Sequence, residues 1–172
     1  MKIYKNMQAA AKADAVSPER ESRKLICRKM NAADVVDVAR LEQELFPDPW
    51  SAVSIGESGK LPDADCTVVE SEGEVVGYYI FYRSFDEGEL IRIGVAKSGQ
   101  RRGVGRFLMQ CMEQCCREKD VRRILLDVRE QNQAARSFYR SQGFVEDGIR
   151  RNFYSGPTED AVLMSRELNV LK

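Results

Sequence analysis

A glycine- and arginine-rich stretch at residues 93–106 carries the strongest chemical signal in the sequence. It reads Ile-Gly-Val-Ala-Lys-Ser-Gly-Gln-Arg-Arg-Gly-Val-Gly-Arg and connects a predicted strand to a predicted helix. Such a turn directs backbone N–H groups and the positive end of the helix dipole toward one point. The stretch has no acidic residue and four basic ones: Lys97, Arg101, Arg102 and Arg106. The pattern therefore predicts a site for a phosphate-bearing ligand.

Two common phosphate-binding motifs do not fit this stretch. A P-loop requires Lys and then Ser or Thr after its second glycine, whereas Gln100 and Arg101 follow Gly99. A dinucleotide-binding fingerprint requires a third glycine where Leu108 stands. A tight turn with a solvated basic rim is the alternative interpretation.

Hydrophobic periodicity predicts the elements that position the stretch. Apolar residues recur at helical spacing and indicate an amphipathic helix over roughly residues 103–118. The apolar stripe comprises Val104, Phe107, Leu108, Cys111, Met112 and Cys115. Runs of β-branched and aromatic residues predict strands on either side. From residue 24 the predicted order is β-α-(α)-β-β-β-α-β-α-β-β, which indicates a single α/β domain.

Residues 1–23 differ from the rest of the chain. They are polar and mixed in charge, and Ser17-Pro18 interrupts the helix formers at residues 8–13. We expect a flexible N-terminal arm, frayed or partly helical, ahead of a domain that spans residues 24–172.

Composition narrows the chemistry and the setting. The 27 basic residues balance the 27 acidic ones, so no global charge draws the chain to nucleic acid or to a membrane surface. The absence of histidine excludes Ser-His-Asp and Cys-His triads and His-bearing zinc sites. The five cysteines match no common metal spacing, and no signal peptide or long apolar run is visible. We therefore expect a cytoplasmic protein with free thiols, no bound metal and no membrane segment.

Two segments together resemble the GNAT superfamily of acetyl-CoA-dependent N-acetyltransferases. Residues 100–105, Gln-Arg-Arg-Gly-Val-Gly, match its Q/R-x-x-G-x-G/A pyrophosphate loop, and residues 132–144 match its N-x-x-A…Y-x-x-x-G-F segment. Residues 46–51, 126–129 and 150–154 further resemble the bacterial members that acetylate the N-terminal alanine of ribosomal proteins.

This resemblance covers about residues 24–168 and implies both a fold and a cofactor. The expected fold is a twisted, mixed, mostly antiparallel sheet of six to seven strands with helices on both faces. The strand that ends at Val95 and the strand at residues 124–128 would splay apart and hold the arm of acetyl-CoA between them, like an added strand. The residues implied as cofactor contacts are Ile93, Gly94, Val95, Gln100, Arg101, Arg102, Gly103, Val104, Gly105, Arg106 and Asn132.

The same resemblance implies a proton donor and a base. Tyr139 would protonate the departing thiolate, and packing of a half-buried ring is its alternative role. Asp127 stands where the relatives carry glutamate; being one methylene shorter, it would act through a bridging water or on a shifted substrate. A structural ion pair with Arg129 is the alternative role of Asp127. Weaker candidates for the base are Glu74, Glu87 and Glu89.

The expected reaction is direct attack of a neutral amine on the thioester, with a backbone amide at a bulge near Val95 polarising the carbonyl. A protein α-amine, with a pKa of about 8, is neutral at pH 7 far more often than a lysine with a pKa of about 10.4, so a weak base favours an α-amino acceptor. The resemblance implies an acceptor groove with Trp50, Arg151 and Tyr154. Arg92 replaces a polar amide of the relatives, which bears on acceptor preference. Small amines as acceptors and a non-catalytic acyl-CoA-binding module are alternatives, and the oligomeric state stays open.

Overall fold

A computed structural model describes residues 8–9 and 24–168, which contain eight strands and four helices. In chain order these are β1 (Gln8–Ala9), β2 (Leu25–Lys29), α1 (Asp34–Leu45), α2 (Ala52–Ser58), β3 (Ala64–Ser71), β4 (Glu74–Ser84), β5 (Glu87–Val95), α3 (Val104–Glu118), β6 (Arg123–Arg129), α4 (Gln133–Ser141), β7 (Val145–Tyr154) and β8 (Glu159–Glu167). The order from β2 onward is the predicted one. Within these residues, no helix is both long enough and apolar enough to cross a membrane.

All eight strands form one sheet in the order β1-β2-β3-β4-β5-β6-β8-β7. Only β5 and β6 run parallel; every other neighbouring pair in the described sheet is antiparallel. The expected mixed, mostly antiparallel sheet is confirmed. The two-residue β1 adds to the expected six to seven strands by pairing with Leu25 and Ile26. The expectation of a frayed or partly helical arm at residues 1–23 otherwise falls outside the described residues.

Helices cover both faces of the sheet, as expected. On one face, α3 packs into a core that includes Leu108 and Met112, and the whole predicted stripe of α3 is buried. On the other face, α1 and α2 bury Val38 and Ile55. Gly77 of β4 permits the close approach of α3, because a Cβ atom there would lie 2.9 Å from Leu108 Cδ1.

The five cysteines are free thiols buried in these cores. Burial is the main cause that raises the pKa of Cys66 to about 11 and that of Cys116 to about 12, so both stay protonated near neutral pH. The described residues contain no group of three or more cysteine, histidine or acidic residues arranged to hold a metal ion. These thiols therefore pack as small apolar side chains.

Candidate active site

The parallel strands β5 and β6 separate over most of their length. Within the described chain they pair only from Glu87 to Glu89 of β5. Beyond that point β5 runs on to Val95 and β6 to Arg129, while β6 stays paired with β8 on its other side. The splay that the resemblance implied is therefore present, and it opens a slot between the two strands.

A β-bulge in β5 marks the start of this slot. Two neighbouring residues of β4 pair with Leu90 and Arg92, so Ile91 is an extra residue on β5. An extra residue bends its strand and increases the local twist, which accounts for the departure of β5 from β6 directly after Glu89. The expected bulge near Val95 is therefore wrongly placed, since the observed one lies at Ile91.

Three of the predicted cofactor contacts lie on β5 beyond its last pair with β6. Ile93 and Val95 are half-buried, and Gly94 is buried. A Cβ atom on Gly94 would come within 2.4 Å of the Tyr78 ring, so this glycine is required by packing inside the sheet. Any contact of Gly94 with a ligand would have to come from its backbone.

The loop between β5 and α3 is held in shape by its own hydrogen bonds. The N–H groups of Gly99 and Gln100 donate to the Ala96 carbonyl at 2.8 and 3.1 Å. The Gln100 side-chain amide donates to the Val95 carbonyl at 3.1 Å, so this side chain braces the loop. Gly103 follows with a φ of 87°, in the left-handed region that favours glycine.

The N-terminus of α3 presents backbone donors at the end of this loop. The first helical hydrogen bond joins Phe107 N–H to the Gly103 carbonyl at 2.9 Å, so the N–H groups of Val104, Gly105 and Arg106 precede the hydrogen-bonded turns. The loop also carries four exposed basic side chains: Lys97, Arg101, Arg102 and Arg106. None of the four forms an ion pair with another described residue. Free N–H groups, the helix dipole and unpaired cations together suit a polyanion.

Helix α4 packs against this first turn of α3. A Cβ atom on Gly105 would lie 3.3 Å from the ring of Phe138, so the glycine allows the two helices to meet. At the start of α4, the Asn132 side-chain oxygen accepts a hydrogen bond from Ala135 N–H at 3.0 Å, as expected of an N-cap. The side-chain NH₂ of Asn132 donates to none of the described residues and is left for another acceptor.

Tyr139 of α4 lies in the core with 8% of its surface exposed. Its ring contacts those of Phe138 and Phe144, with centroid distances of 5.6 and 5.7 Å. Burial, and to a smaller extent the neighbouring Tyr154, raises the pKa of this phenol above its ordinary value. The phenol therefore stays protonated at physiological pH and can donate a proton or a hydrogen bond.

Asp127 faces a pocket of about 250 Å³ that Glu89 also lines. Its carboxylate pairs with Arg150 of β7 at 3.1 Å, so the alternative pairing with Arg129 is wrong. Desolvation raises the pKa of Asp127, and Arg150 partly offsets the rise. Desolvation and the charge of Asp127 likewise raise the pKa of Glu89. Two neighbouring carboxylates with raised pKa values are suited to accepting a proton.

Tyr154, at the end of β7, lies beside both catalytic candidates. Its ring stacks on the Arg129 guanidinium at 4.2 Å. Burial, followed by the negative charge of Asp127, raises the pKa of Tyr154 to about 12. Because Tyr154 also acts on the pKa of Tyr139, these three side chains form one electrostatic cluster.

Arg151 does not join this cluster. Its side chain is exposed and pairs with Asp160 at 3.0 Å. The pairing of β7 with β8 is irregular between Arg150 and Tyr154, and such an irregularity changes the direction in which a side chain points. In this structure Arg151 is thus paired with Asp160, whereas Tyr154 stacks on Arg129.

The sequence analysis missed a buried charge network under Trp50. Glu42 of α1 is fully buried and accepts hydrogen bonds from the Tyr78 hydroxyl, from Arg92 at 2.5 Å and from the Trp50 N–H at 2.8 Å. The Arg92 guanidinium in turn stacks on the Phe46 ring at 4.3 Å. A glutamate on the apolar face of α1 was the signal that could have revealed the network, because a fully buried carboxylate requires a partner.

A splayed parallel pair beside an anion-binding helix N-terminus defines an acyltransferase of the GNAT class. The chain belongs to the Acetyltransferase (GNAT) family, whose model matches residues 35–144. It is accordingly an enzyme that uses acetyl-CoA as its acyl donor.

Similar proteins extend over most of the chain. An N-alpha-acetyltransferase RimI of Mycobacterium tuberculosis is 34% identical over 144 residues, covering 80% of this chain and 89% of that protein. A ribosomal protein bS18-alanine N-acetyltransferase of Haemophilus influenzae is 30% identical, covering 81% and 97%. The crystal structure of the ribosomal-protein-S18-alanine N-acetyltransferase from Escherichia coli matches with a TM-score of 0.79 and 27% identity, covering 86% and 96%. The resemblance to these bacterial enzymes is thus confirmed.

Proposed function

We propose that this enzyme transfers the acetyl group of acetyl-CoA to the N-terminal α-amine of a protein. The observation that carries the proposal is the slot between β5 and β6, with an anion-binding loop beside it, Asp127 on β6, and Tyr154 interacting electrostatically with Asp127 and Tyr139. The similar enzymes of Haemophilus influenzae and Escherichia coli, which are named as acetyltransferases of a ribosomal-protein alanine, support this acceptor class. We assign the activity to residues 24–172, with residues 1–23 as an N-terminal arm.

The loop and the start of α3 fit the phosphates of coenzyme A. Backbone N–H groups of residues 104–106 would bind the pyrophosphate, and Gly103, where a Cβ atom would meet nothing within 4 Å, leaves the approach open. Arg101, Arg102 and Arg106 would add charge at its rim. The free NH₂ group of Asn132 and the edge of β5 would hold the amide-rich arm.

Bound acetyl-CoA supplies a thioester carbonyl that a neutral amine can attack directly. Tyr139, kept protonated by burial, donates its proton toward the leaving sulfur. Asp127, through a bridging water, takes up the proton that the amine releases, and Glu89 beside it shares this role. Arg150 keeps the Asp127 carboxylate in its ionised, proton-accepting form.

This arrangement of proton acceptors favours an α-amine over a lysine side chain. About a tenth of an α-amine is already neutral at pH 7, so a modest base is sufficient. Less than about one lysine in a thousand is neutral at that pH, and such an acceptor would require a stronger base in direct contact.

A mass-spectrometric acceptor screen with acetyl-CoA tests the proposal. It offers peptides that begin with Ala, Ser or Met, the same peptides blocked at the N-terminus but containing lysine, and a panel of polyamines. We expect acetylation of the unblocked peptides only. Acetylation restricted to polyamines would make the enzyme a small-amine acetyltransferase, and acetyl-CoA binding without any product would indicate a non-catalytic acyl-CoA-binding module.

A further inference from the structure

The turn at residues 46–51, which we call the acceptor turn, is held from both walls of the slot by Asp48. The Asp48 carbonyl accepts a hydrogen bond from Arg92 of β5 at 2.8 Å. The Asp48 carboxylate pairs with Arg129 of β6 at 3.5 Å. Since β5 and β6 no longer pair with each other at this level, Asp48 connects two strands that have diverged. We call this pair of links the Asp48 clamp.

The link to β5 is rigid. Only 12% of the Arg92 side chain is exposed, and Glu42, which is fully buried, binds it through two hydrogen bonds of 2.5 and 3.2 Å. The guanidinium lies over the rings of Phe46 and Trp50, at 4.3 and 5.4 Å from their centroids. Burial, charge pairing and stacking together hold this side of the acceptor turn in one place.

The link to β6 can adjust. Arg129 also donates to Glu159 at 3.2 Å through Nη1, so it keeps a counter-charge when Asp48 moves away. Its Nη2 is buried and makes no hydrogen bond with the described residues, and the Asp48 carboxylate that it faces is 41% exposed. A long, partly solvated ion pair of this kind contributes little to stability and weakens as salt is added.

We propose that Asp48 is a specificity-determining positioning residue, whose clamp restricts the acceptor to a small first side chain. This inference rests on the proposed function. The two arginines of the clamp stack on Trp50 and Tyr154, so the distance between these rings depends on both links. In the proposed acceptor groove, a fixed spacing of these two rings would admit a small first side chain and exclude a large one by overlap, whereas a released turn would adapt to either.

The Asp48→Asn variant isolates the adjustable link. It removes the carboxylate charge that Arg129 binds and leaves the main-chain carbonyl for Arg92. The experiment measures kcat/KM for two peptides that differ only in beginning with Ala or Leu. We expect the Ala-to-Leu ratio to fall about threefold to fivefold, because the released turn raises kcat/KM for the Leu peptide relative to that for the Ala peptide. Added salt should reduce the Ala-to-Leu ratio of kcat/KM of the wild-type enzyme and leave that ratio unchanged in the variant.

Asp63→Asn provides the matched control. Asp63 likewise pairs with an arginine, Arg83, at 2.6 Å, and its main-chain carbonyl accepts from Arg83 N–H at 2.9 Å, outside the slot. This variant should have the same Ala-to-Leu ratio of kcat/KM as the wild-type enzyme. An unchanged ratio in an active Asp48→Asn enzyme, or a parallel loss of kcat for both peptides, would overturn the inference alone. Failure of the unchanged enzyme to acetylate any peptide would overturn the proposed function and this inference with it.

Discussion

The two sides of the slot differ in whether their basic side chains have acidic partners. We call the side with the loop at residues 97–106 the cofactor side and the side with Trp50 and Tyr154 the acceptor side. On the cofactor side, the basic side chains of the loop at residues 97–106 are exposed and pair with no described residue. On the acceptor side, each arginine has a carboxylate partner: Arg92 has Glu42, Arg129 has Glu159 and Asp48, and Arg150 has Asp127.

The difference separates binding from positioning. An exposed cation is well hydrated, so it costs little free energy to leave it unpaired, and it stays available to bind a polyanion. A buried or half-buried cation is costly without a partner, but with one it holds its neighbours in a defined place. Variants on the cofactor side should therefore change acetyl-CoA affinity, and variants on the acceptor side should change stability, proton transfer or selectivity.

The largest effect is expected from Tyr139→Phe. Tyr139 is uncharged, so it belongs neither to the exposed cations nor to the paired arginines, and this variant tests the proposed acid alone. Removing the hydroxyl should lower kcat by about 100-fold or more, because the leaving sulfur loses its proton donor. The acetyl-CoA dissociation constant, measured by calorimetry, should stay near normal. Tyr82→Phe removes a hydroxyl that is bonded to Ser58 at 2.7 Å outside the slot and should leave kcat unchanged. Equal losses of kcat and of affinity would refute the assignment of Tyr139 as the acid.

Glu42→Gln tests the structural cost of the acceptor-side charges. The variant leaves the Arg92 guanidinium buried without a counter-charge and should lower the free energy of unfolding by about 3–5 kcal/mol in a urea titration. Glu57→Gln removes a solvent-exposed partner of Lys60 and should change it by less than about 1 kcal/mol. Similar losses in the two variants would show that burial of the pair is unimportant.

Gly103→Asp tests the cofactor side. An L-residue at a φ of 87° is strained, and a carboxylate at this helix N-terminus repels phosphate, so acetyl-CoA affinity should fall on the order of 100-fold. Gly73→Asp imposes comparable strain at a φ of 83° in the β3–β4 turn and should leave the affinity unchanged. Retention of normal binding by the Gly103 variant would contradict the phosphate-loop assignment.

Arg150→Gln gives the smallest expected effect. Arg150 lowers the pKa of Asp127 and that of Glu89, so its removal should raise both. A base works only above its pKa, and the acid limb of the kcat/KM profile should therefore move to higher pH. Arg151→Gln removes a neighbouring cation that pairs with Asp160, and it should leave the position of that limb unchanged. An acid limb that stays in place in the Arg150 variant would exclude these carboxylates as the base.

Local signals predicted most of the fold correctly. The predicted stripe of α3 is buried, and the strands and helices from β2 onward follow the predicted order. Asn31 and Asp34 cap the start of α1 reciprocally: the Asn31 side-chain oxygen accepts from Ala33 N–H at 2.8 Å, and the Asp34 carboxylate accepts from Asn31 N–H at 2.7 Å. Arg28 of β2 binds the Asp34 carboxylate at the start of α1 and also pairs with Glu70 of β3, a partner that no short sequence window contains.

The candidate site was predicted in part. Residues 97–106 and Asn132 are close along the chain to the elements that position them, so their patterns were sufficient to place them. Asp127 pairs with Arg150 instead of Arg129, Arg151 pairs with Asp160, and the bulge is at Ile91. These positions depend on how distant strands align, which residue types alone do not specify.

The sequence by itself determined the order of the elements, the glycine- and arginine-rich loop at residues 97–106 and the family, because each depends on patterns among residues that are close along the chain. Only the tertiary structure decided how the charges pair around the slot. Glu42 pairs with Arg92, and Asp48 contacts both Arg92 and Arg129, although these arginines lie on strands that are distant in sequence. Such partners are selected by burial: a charge removed from water must be satisfied by whichever group the folded sheet brings within reach.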